Sequence, residues 1–179
     1  MINRKGLKTV ALVCTAVVLV TLAFVGWKIV KKLPKSAPDF TLNNLEGSPV
    51  TLSSYFADKG NVVILEVWAS WCGNCQKTTP ELAKLQSSYK DKAVKVVSVA
   101  IDDDIASVKT FAKANHLNYV ICHDPSAKLM NKLYGVQAIP ATFVIDRKGY
   151  IRFSHSGFVI IPESKDQMSG LKREINSLL

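Results

Sequence analysis

The sequence has few of the side chains that bind metals, with four cysteines and three histidines among 179 residues. A structural zinc site needs four protein ligands, commonly supplied by two Cys-x-x-Cys or His-x-x-x-His pairs. The chain has one such pair, Cys72 and Cys75, and no second one. The adjacent Cys122 and His123 are the residues left to complete a site. We therefore predict no bound metal or cofactor and keep a zinc or copper site as the alternative.

Excess positive charge is scarce outside the N-terminus. Residues 1–35 contain seven Lys or Arg and no Asp or Glu, so they hold seven of the nine formal positive charges. Residues 36–179 contain 16 basic and 14 acidic side chains, a net charge of +2. Because a nucleic-acid-binding face concentrates basic residues, we predict no nucleic-acid partner. The basic N-terminal residues are interpreted as contacts to lipid headgroups.

An uncharged apolar run extends from Thr9 to Trp27. Its length is about that of a helix that crosses a bilayer, and no convincing cleavage site or lipoprotein signal lies near its end. We therefore predict a retained membrane anchor with basic flanks over residues 1–35 and one domain over residues 36–179. A cleaved signal peptide is the alternative. Three basic residues precede the run and four follow it, so the positive-inside rule does not give the orientation.

Apolar runs alternate with amphipathic segments after residue 36, which predicts an α/β domain. The predicted strands are a hairpin that sets Phe40, Leu42 and Leu45 against Val50 and Leu52, then Val62–Trp68, Val94–Ile101, Tyr119–Cys122, Thr142–Ile145 and Tyr150–Ser156. The predicted helices are Asn74–Tyr89 with a kink at Pro80, one capped by Asp102–Asp104 that buries Ile105 and Val108, Ser126–Tyr134, and a last one that buries Met168, Leu171, Ile175 and Leu178. Residues 33–38 are interpreted as a stiff linker.

Two cysteines three residues apart, Cys72 and Cys75, follow the apolar run 62–68. In the first turn of a helix their Cα atoms would lie about 5 Å apart, within the range of a disulfide. The N-terminus of a helix favours negative charge, so we expect Cys72 to ionise and attack and Cys75 to resolve. The pair therefore predicts a redox-active disulfide that exchanges with other thiols and disulfides.

A single acidic residue, Glu66, interrupts the same apolar run. Burial raises the pKa of a carboxyl group, and groups with perturbed pKa values concentrate in active sites. We predict that Glu66 is the general base for Cys75. A structural role at a sheet edge and an ion pair with Lys77 are the alternatives.

Three segments carry a resemblance to a known family: APDFTLNNLEGSPVTLSSYF, NVVILEVWASWCGNCQKTTPEL and YGVQAIPATFVIDRKGYI. The WCxxC motif, Pro80 and the Ile139-Pro140 pair follow in the same order as in the membrane-anchored thioredoxin-like proteins of bacteria, the TlpA/ResA-like group. This resemblance covers about residues 36–178. It implies a thioredoxin fold, a central mixed sheet flanked by helices, here with an N-terminal β-hairpin extension. It also implies a domain on the periplasmic or extracytoplasmic side of the cytoplasmic membrane, with protein disulfides as substrates and a membrane thiol reductase as electron donor.

The resemblance further assigns residues around the cysteines. In thioredoxin-like proteins the proline that matches Pro140 is cis and lies against the cysteine pair, which leaves the backbone of Ile139 to bind an extended peptide. Together with Trp71, Gly73 and Asn74 these residues form the predicted substrate-binding surface. Glu66 corresponds to a buried aspartate of thioredoxin that moves protons for the second cysteine.

The sequence therefore predicts a reductant of extracytoplasmic protein disulfides, with cytochrome c maturation as the narrower expectation. Two positions depart from that narrower group, since Thr78 and Ala141 stand where several of its reductants have glutamate. A peroxidase is disfavoured, because Ala69 replaces the threonine that such thioredoxin-fold enzymes place three residues before the reactive cysteine. The alternative class is a thioredoxin-like copper chaperone or a non-catalytic docking module.

Overall fold

The computed structural model describes residues 35–157 and 168–179. The strands in these ranges are β1 (Lys35–Ser36), β2 (Thr41–Asn43), β3 (Pro49–Thr51), β4 (Val62–Trp68), β5 (Val94–Ala100), β6 (Val120–His123), β7 (Ala141–Ile145) and β8 (Tyr150–Ser156). The α-helices are α1 (Cys75–Ser88), α2 (Ile105–Ala114), α3 (Lys128–Tyr134) and α4 (Ser169–Asn176), and a short π-helix covers Ser54–Asp58. All the longer elements predicted from the sequence are confirmed, most of them within one or two residues.

Six strands form the central sheet in the order β1-β8-β7-β4-β5-β6. Strands β4, β5 and β6 are parallel, whereas β7 runs antiparallel to both β4 and β8. The mixed sheet and flanking helices confirm the predicted α/β class. All seven residues of β4 are buried, as expected for a continuous apolar run with strands on both sides and helices on its faces.

Alternate residues of the sheet feed two cores, because successive side chains of a strand point to opposite faces. One face packs Ile64 and Val96 against Leu82 of α1 and Leu171 of α4. The opposite face packs Leu65, Val97 and Phe143 with Met130 of α3 and with residues of the N-terminal segment such as Phe40. A third cluster of Trp68, Cys75, Ala100, Val108 and Ile121 lies where β4 and β5 end and α1 and α2 begin. The cysteine pair is therefore built directly onto the packed core.

The predicted N-terminal hairpin is confirmed as a two-stranded sheet of β2 and β3. Thr41 pairs with Thr51, and their hydroxyl oxygens lie 2.8 Å apart. A single antiparallel bridge joins Asn44 to Cys122 on β6. The hairpin therefore covers part of the exposed edge of the central sheet, which limits pairing with other chains.

Two local predictions need correction. The linker assigned to residues 33–38 is wrong at Lys35 and Ser36, which pair with Ile151 and Tyr150 as strand β1 and cover the edge of β8. Lys35 was assigned to the basic flank because a two-residue strand has no periodicity of its own. Pro80 lies inside helix α1, which extends from Cys75 to Ser88, and the kink at this residue stays a prediction.

The second correction concerns the helix predicted over Ser126–Tyr134. It divides into a short 3₁₀ turn, Pro125–Ala127, and helix α3. Ser126 and Ala127 have φ angles of 63° and 55°, and two successive left-handed residues interrupt a right-handed helix.

The predicted anchor from Thr9 to Trp27 lies outside the described residues. None of the helices within the described ranges combines the length and the hydropathy that a bilayer-spanning segment needs.

Candidate active site

The cysteine pair lies where β4 passes into α1. Strand β4 ends at Trp68, and the regular helix begins at Cys75. Helical hydrogen bonding starts earlier, because the N–H of Gln76 donates to the carbonyl oxygen of Cys72 at 3.0 Å. Cys72 therefore occupies the N-terminal end of the helix, where unpaired N–H groups and the helix dipole favour an anion.

The two cysteines form a disulfide with a Cα–Cα distance of 5.1 Å, which confirms the predicted separation. The N–H of Cys75 donates to Sγ of Cys72 at 3.2 Å. Cys75 is fully buried, whereas Cys72 is partly exposed. This geometry makes Cys72 the sulfur that another protein can reach and that an amide can stabilise as a thiolate.

A buried carboxylate holds the loop that carries Cys72. Asp102 lies two residues beyond the end of β5. Each of its oxygens accepts from the N–H of Ser70 at 3.1 Å, and the Ser70 hydroxyl donates to it as well. The carbonyl oxygen of Ser70 accepts from the side-chain amide of Gln76 at 2.8 Å. The residue two positions before Cys72 is therefore fixed on both sides of its backbone.

This role of Asp102 was missed by the sequence analysis, which treated Asp102–Asp104 as one helix cap. Only Asp104 caps α2, by accepting from the N–H groups of Ala106 and Ser107. A signal was present, because Asp102 directly follows the apolar run that predicts the strand Val94–Ile101. The partner Ser70 lies 32 positions away in sequence and could not be identified from the pattern.

Glu66 lies in the middle of β4 and has no exposed surface. The suggested sheet-edge position is wrong, because β4 lies between β7 and β5 and Glu66 pairs with Thr142 and Ser98. The suggested ion pair is wrong too, since Lys77 is exposed and the contacts of the described residues include no bond between them.

The Glu66 carboxyl has an uneven set of partners. Oε1 accepts from the Thr79 hydroxyl at 3.0 Å, whereas Oε2 is buried without a hydrogen-bond partner. Burial raises the pKa of Glu66 from 4.5 to about 8, and the Thr79 hydrogen bond opposes that rise. The carboxyl can therefore gain and lose a proton near neutral pH, as a general base must.

Helix α1 brings Glu66 and Cys75 to the same side. Thr79 follows Cys75 by four residues, and side chains at that spacing lie on one face of a helix. Because Thr79 binds Glu66 directly, the carboxyl lies under the helix face that begins with Cys75.

The peptide bond between Ile139 and Pro140 is cis, and the carbonyl oxygen of Ile139 lies 3.7 Å from Sγ of Cys72. Trp71 is 68% exposed. Trp71 and Ile139 both line an open groove of about 570 Å³, together with Ile101 and residues 135–138. The groove runs beside the disulfide and could receive an extended chain, although substrate contacts at these residues stay a prediction.

Gly73 and Asn74 are the two residues between the cysteines, and both are exposed. A Cβ atom built on Gly73 would meet nothing within 4 Å, so the space beside Gly73 is open. Their predicted contact with substrate also stays untested.

Cys122 and His123, the candidate ligands for the alternative zinc or copper site, are engaged elsewhere. Cys122 is fully buried in the core, and burial raises its pKa to about 12. The ring Nε2 of His123 donates to the backbone carbonyl oxygen of Asp102 at 2.7 Å. Across residues 35–157 and 168–179, no three Cys, His, Asp or Glu side chains come together as a metal site.

This chain is similar to known proteins over most of its length. Residues 33–154 match the AhpC/TSA family model. The thiol-disulfide oxidoreductase ResA of Bacillus thuringiensis (strain Al Hakam) is 30% identical over 80% of this chain and 79% of its own. The thioredoxin-like protein YneN of Bacillus subtilis (strain 168) is 30% identical over 84% of this chain and 92% of its own. A solved structure from Chlorobium tepidum, named as a thiol:disulfide interchange protein DsbE, has 32% identity, covers 81% of this chain and 96% of its own, and gives a TM-score of 0.71.

Proposed function

This chain belongs to the AhpC/TSA family, in its thioredoxin-like TlpA/ResA-like group, and from that premise we propose that it reduces disulfides in other proteins outside the cytoplasm. The predicted thioredoxin fold and thiol-disulfide oxidoreductase activity are both confirmed by these similarities. The direction of electron flow, the substrates and the location belong to the proposal.

One observation carries the proposal: the two sulfurs of the pair have opposite environments. Cys72 is partly exposed at the start of α1, beside the groove lined by Trp71 and Ile139. Cys75 is buried on the side of the helix that faces Glu66. An accessible attacking thiolate and a protected resolving thiol are what disulfide exchange requires.

The reduction proceeds in two exchanges. The Cys72 thiolate attacks one sulfur of a substrate disulfide, so a Cys72–substrate bond forms and the substrate disulfide breaks, releasing a substrate thiolate. Glu66 then takes the proton of Cys75, and the Cys75 thiolate attacks Sγ of Cys72, which releases the second substrate sulfur. The substrate gains two electrons and leaves as two thiolates, which take up the proton held by Glu66 and one proton from water, and the protein is left with the disulfide seen in the structure. A membrane thiol reductase is the proposed donor that restores the two thiols.

The hydrogen bonding of the exposed sulfur supports the reductant direction. A disulfide is a strong oxidant where the protein stabilises its reduced form, for example by hydrogen bonds to a thiolate. Among the described residues, the N–H of Cys75 is the one amide that donates to Sγ of Cys72. A single donor stabilises the thiolate modestly, which favours a reductant.

The location and pathway follow from the sequence and from the resemblance to the membrane-anchored group. The apolar run from Thr9 to Trp27 is the proposed single-pass anchor in the cytoplasmic membrane, with the catalytic domain on the periplasmic or extracytoplasmic side. Reduction of haem-attachment cysteines during cytochrome c maturation is the narrower proposal, which Thr78 and Ala141 do not favour. Adding protease to spheroplasts and to inverted membrane vesicles tests the orientation, since the spheroplasts should lose the domain and the vesicles should keep it.

The reduction potential of the Cys72/Cys75 couple tests the direction. The full chain is equilibrated with dithiothreitol or glutathione redox buffers, and the thiols are trapped and counted by mass. A potential near the value of about −270 mV for thioredoxin is expected. A value more than about 100 mV higher would indicate an oxidant and refute the proposed direction.

Trapping tests the exchange itself. The Cys75→Ser variant should accumulate a mixed disulfide with an oxidised protein such as insulin, whereas Cys72→Ser should form none. An oxidised peptide containing Cys-x-x-Cys-His, the haem-attachment sequence, is compared with oxidised glutathione as substrate. A preference for the peptide would support the cytochrome c role, and equal rates would argue against it.

A further inference from the structure

We propose that Thr79 is a positioning residue for the resolving step: its hydroxyl holds the Glu66 carboxyl beneath Cys75 and stabilises the carboxylate that accepts the Cys75 proton. The inference rests on the proposed role of Glu66 as general base and extends it to a residue that touches neither substrate nor reacting sulfur.

Among the described residues, Thr79 is the hydrogen-bond donor to the Glu66 carboxyl. Its hydroxyl donates to Oε1 of Glu66 at 3.0 Å, and Oε2 has no partner. Both residues have no exposed surface, so bulk water does not compensate for a lost donor. A hydroxyl that donates to a carboxylate stabilises the charged form, and such charge-assisted bonds are among the stronger ones in proteins.

The neighbouring threonine shows that this contact is specific. Thr78 is also buried, but its hydroxyl donates to the backbone carbonyl oxygen of Asn74, four residues earlier in the helix. This local bond is the usual choice for a threonine inside a helix. Thr79 instead uses its hydroxyl to reach from α1 to β4.

A second contact fixes the turn of helix that carries Thr79. The hydroxyl of Tyr119 donates to the backbone carbonyl oxygen of Thr79 at 3.1 Å. Burial, followed by the charge of Glu66, raises the pKa of Tyr119 well above its ordinary value. Tyr119 therefore stays neutral near neutral pH and acts as a donor rather than as a competing base.

Among the described residues, the groups that face Glu66 come from the two neighbouring strands, from α1 and from Tyr119. Ser98 on β5 and Thr142 on β7 are its register partners, and α1 contributes Cys75 and Thr79. Tyr119 and the reduced form of Cys75 are the titratable groups of this set, and no cation of the described residues contributes to the pKa of Glu66. Burial raises that pKa and the Thr79 hydroxyl lowers it, so removing the hydroxyl should make the carboxylate harder to form.

The test separates attack from resolution in one reaction. The reduced full chain, carrying Cys122→Ala to remove the third thiol, is mixed with the aromatic disulfide 5,5′-dithiobis(2-nitrobenzoic acid). The first coloured thiolate is released when Cys72 attacks, and the second when Cys75 resolves the mixed disulfide. Both phases are recorded from pH 5 to pH 10.

Thr79→Val should leave the first phase unchanged and slow the second about tenfold at pH 7, with its pH midpoint about one unit higher. Thr79→Ser, which restores the hydroxyl, should return the midpoint to that of the parent. Thr78→Val is the matched control and should match the parent in both phases. Thr79→Ala is the second hydroxyl-free variant, used if the valine prevents folding.

Glu66→Gln distinguishes the two proposals. If it slows the second phase and Thr79→Val then adds nothing, Thr79 acts through Glu66 as proposed. A Thr79→Val effect that persists in the Glu66→Gln background, or one equal to that of Thr78→Val, overturns the role of Thr79 and leaves the base intact. An unchanged second phase in Glu66→Gln alone overturns the base itself.

Discussion

Glu66→Gln is expected to change how the stability of the oxidised protein depends on pH. Glutamine keeps the shape of the side chain and the acceptor for Thr79 but cannot ionise. In the native protein burial raises the pKa of Glu66 from 4.5 to about 8. Between these two pH values the unfolded chain releases a proton that the folded chain retains, so stability falls as pH rises.

The size of the effect follows from the same interval. At about 1.4 kcal/mol per pH unit, the interval between 4.5 and about 8 corresponds to roughly 5 kcal/mol as an upper value. The loss of stability is absent below pH 4.5, where the carboxyl is protonated in the folded and the unfolded state. The loss is complete above about pH 8, where the carboxyl is ionised in both states. The free energy of unfolding of Glu66→Gln minus that of the parent should therefore increase across this window and be constant on either side.

Urea unfolding at half-unit pH steps from 4 to 9 measures this difference. The disulfide is kept intact so that Cys72 and Cys75 do not titrate, and other groups cancel in the subtraction. Glu46→Gln is the control, because Glu46 is exposed on the hairpin and should give a flat difference. A flat difference for Glu66→Gln as well would show that Glu66 is ionised in the folded protein at neutral pH and would refute the reasoning.

Two further predictions concern residues away from the redox pair. Burial raises the pKa of Cys122 to about 12. Iodoacetamide at pH 8 should therefore alkylate Cys122 roughly 100-fold more slowly, or slower still, in the folded chain than in the unfolded chain. Equal rates of alkylation, measured by mass spectrometry, would contradict its burial. Gly149→Ala should destabilise the protein by about 2 kcal/mol or more, because Gly149 has a φ of 82° and the new Cβ would lie 2.6 Å from the Phe56 ring. Gly47→Ala, at a φ of 86° with open space around it, should cost about 1 kcal/mol, and equal losses in urea unfolding would exclude the steric contribution.

The long elements were predictable because each has a strong local signal. Strand β4 is a continuous apolar run, and its predicted and observed bounds are the same, Val62–Trp68. Helix α1 was placed within one residue at each end, since apolar positions repeat at helical spacing. Strand β1 was missed because two residues show no period, and they become a strand only through pairing with β8.

The features of the site that could be predicted are those set by residues close together in the sequence. The spacing of Cys72 and Cys75 fixes their separation, and the burial of Glu66 follows from its apolar neighbours. The cis geometry of Pro140 was predicted from family resemblance, because an X-Pro bond is usually trans. Contacts between distant segments, such as Asp102 with Ser70 and Thr79 with Glu66, depend on how β4, β5 and α1 pack.

The raised pKa of Glu66 constrains how the resolving step can work. A thiolate at Cys75 and a carboxylate at Glu66 would place two like charges in one buried region, and each would oppose the ionisation of the other. A proton can therefore pass from Cys75 to Glu66 more easily than both groups can lose one. Because burial raises the pKa of Glu66 to about 8, most molecules hold that proton at neutral pH and must release it before they can act as a base. The rate of the resolving step should therefore increase as pH rises toward 8 and then become constant. The carboxyl that controls release of the substrate from the mixed disulfide is thus the same one that lowers the stability of the protein over that pH range.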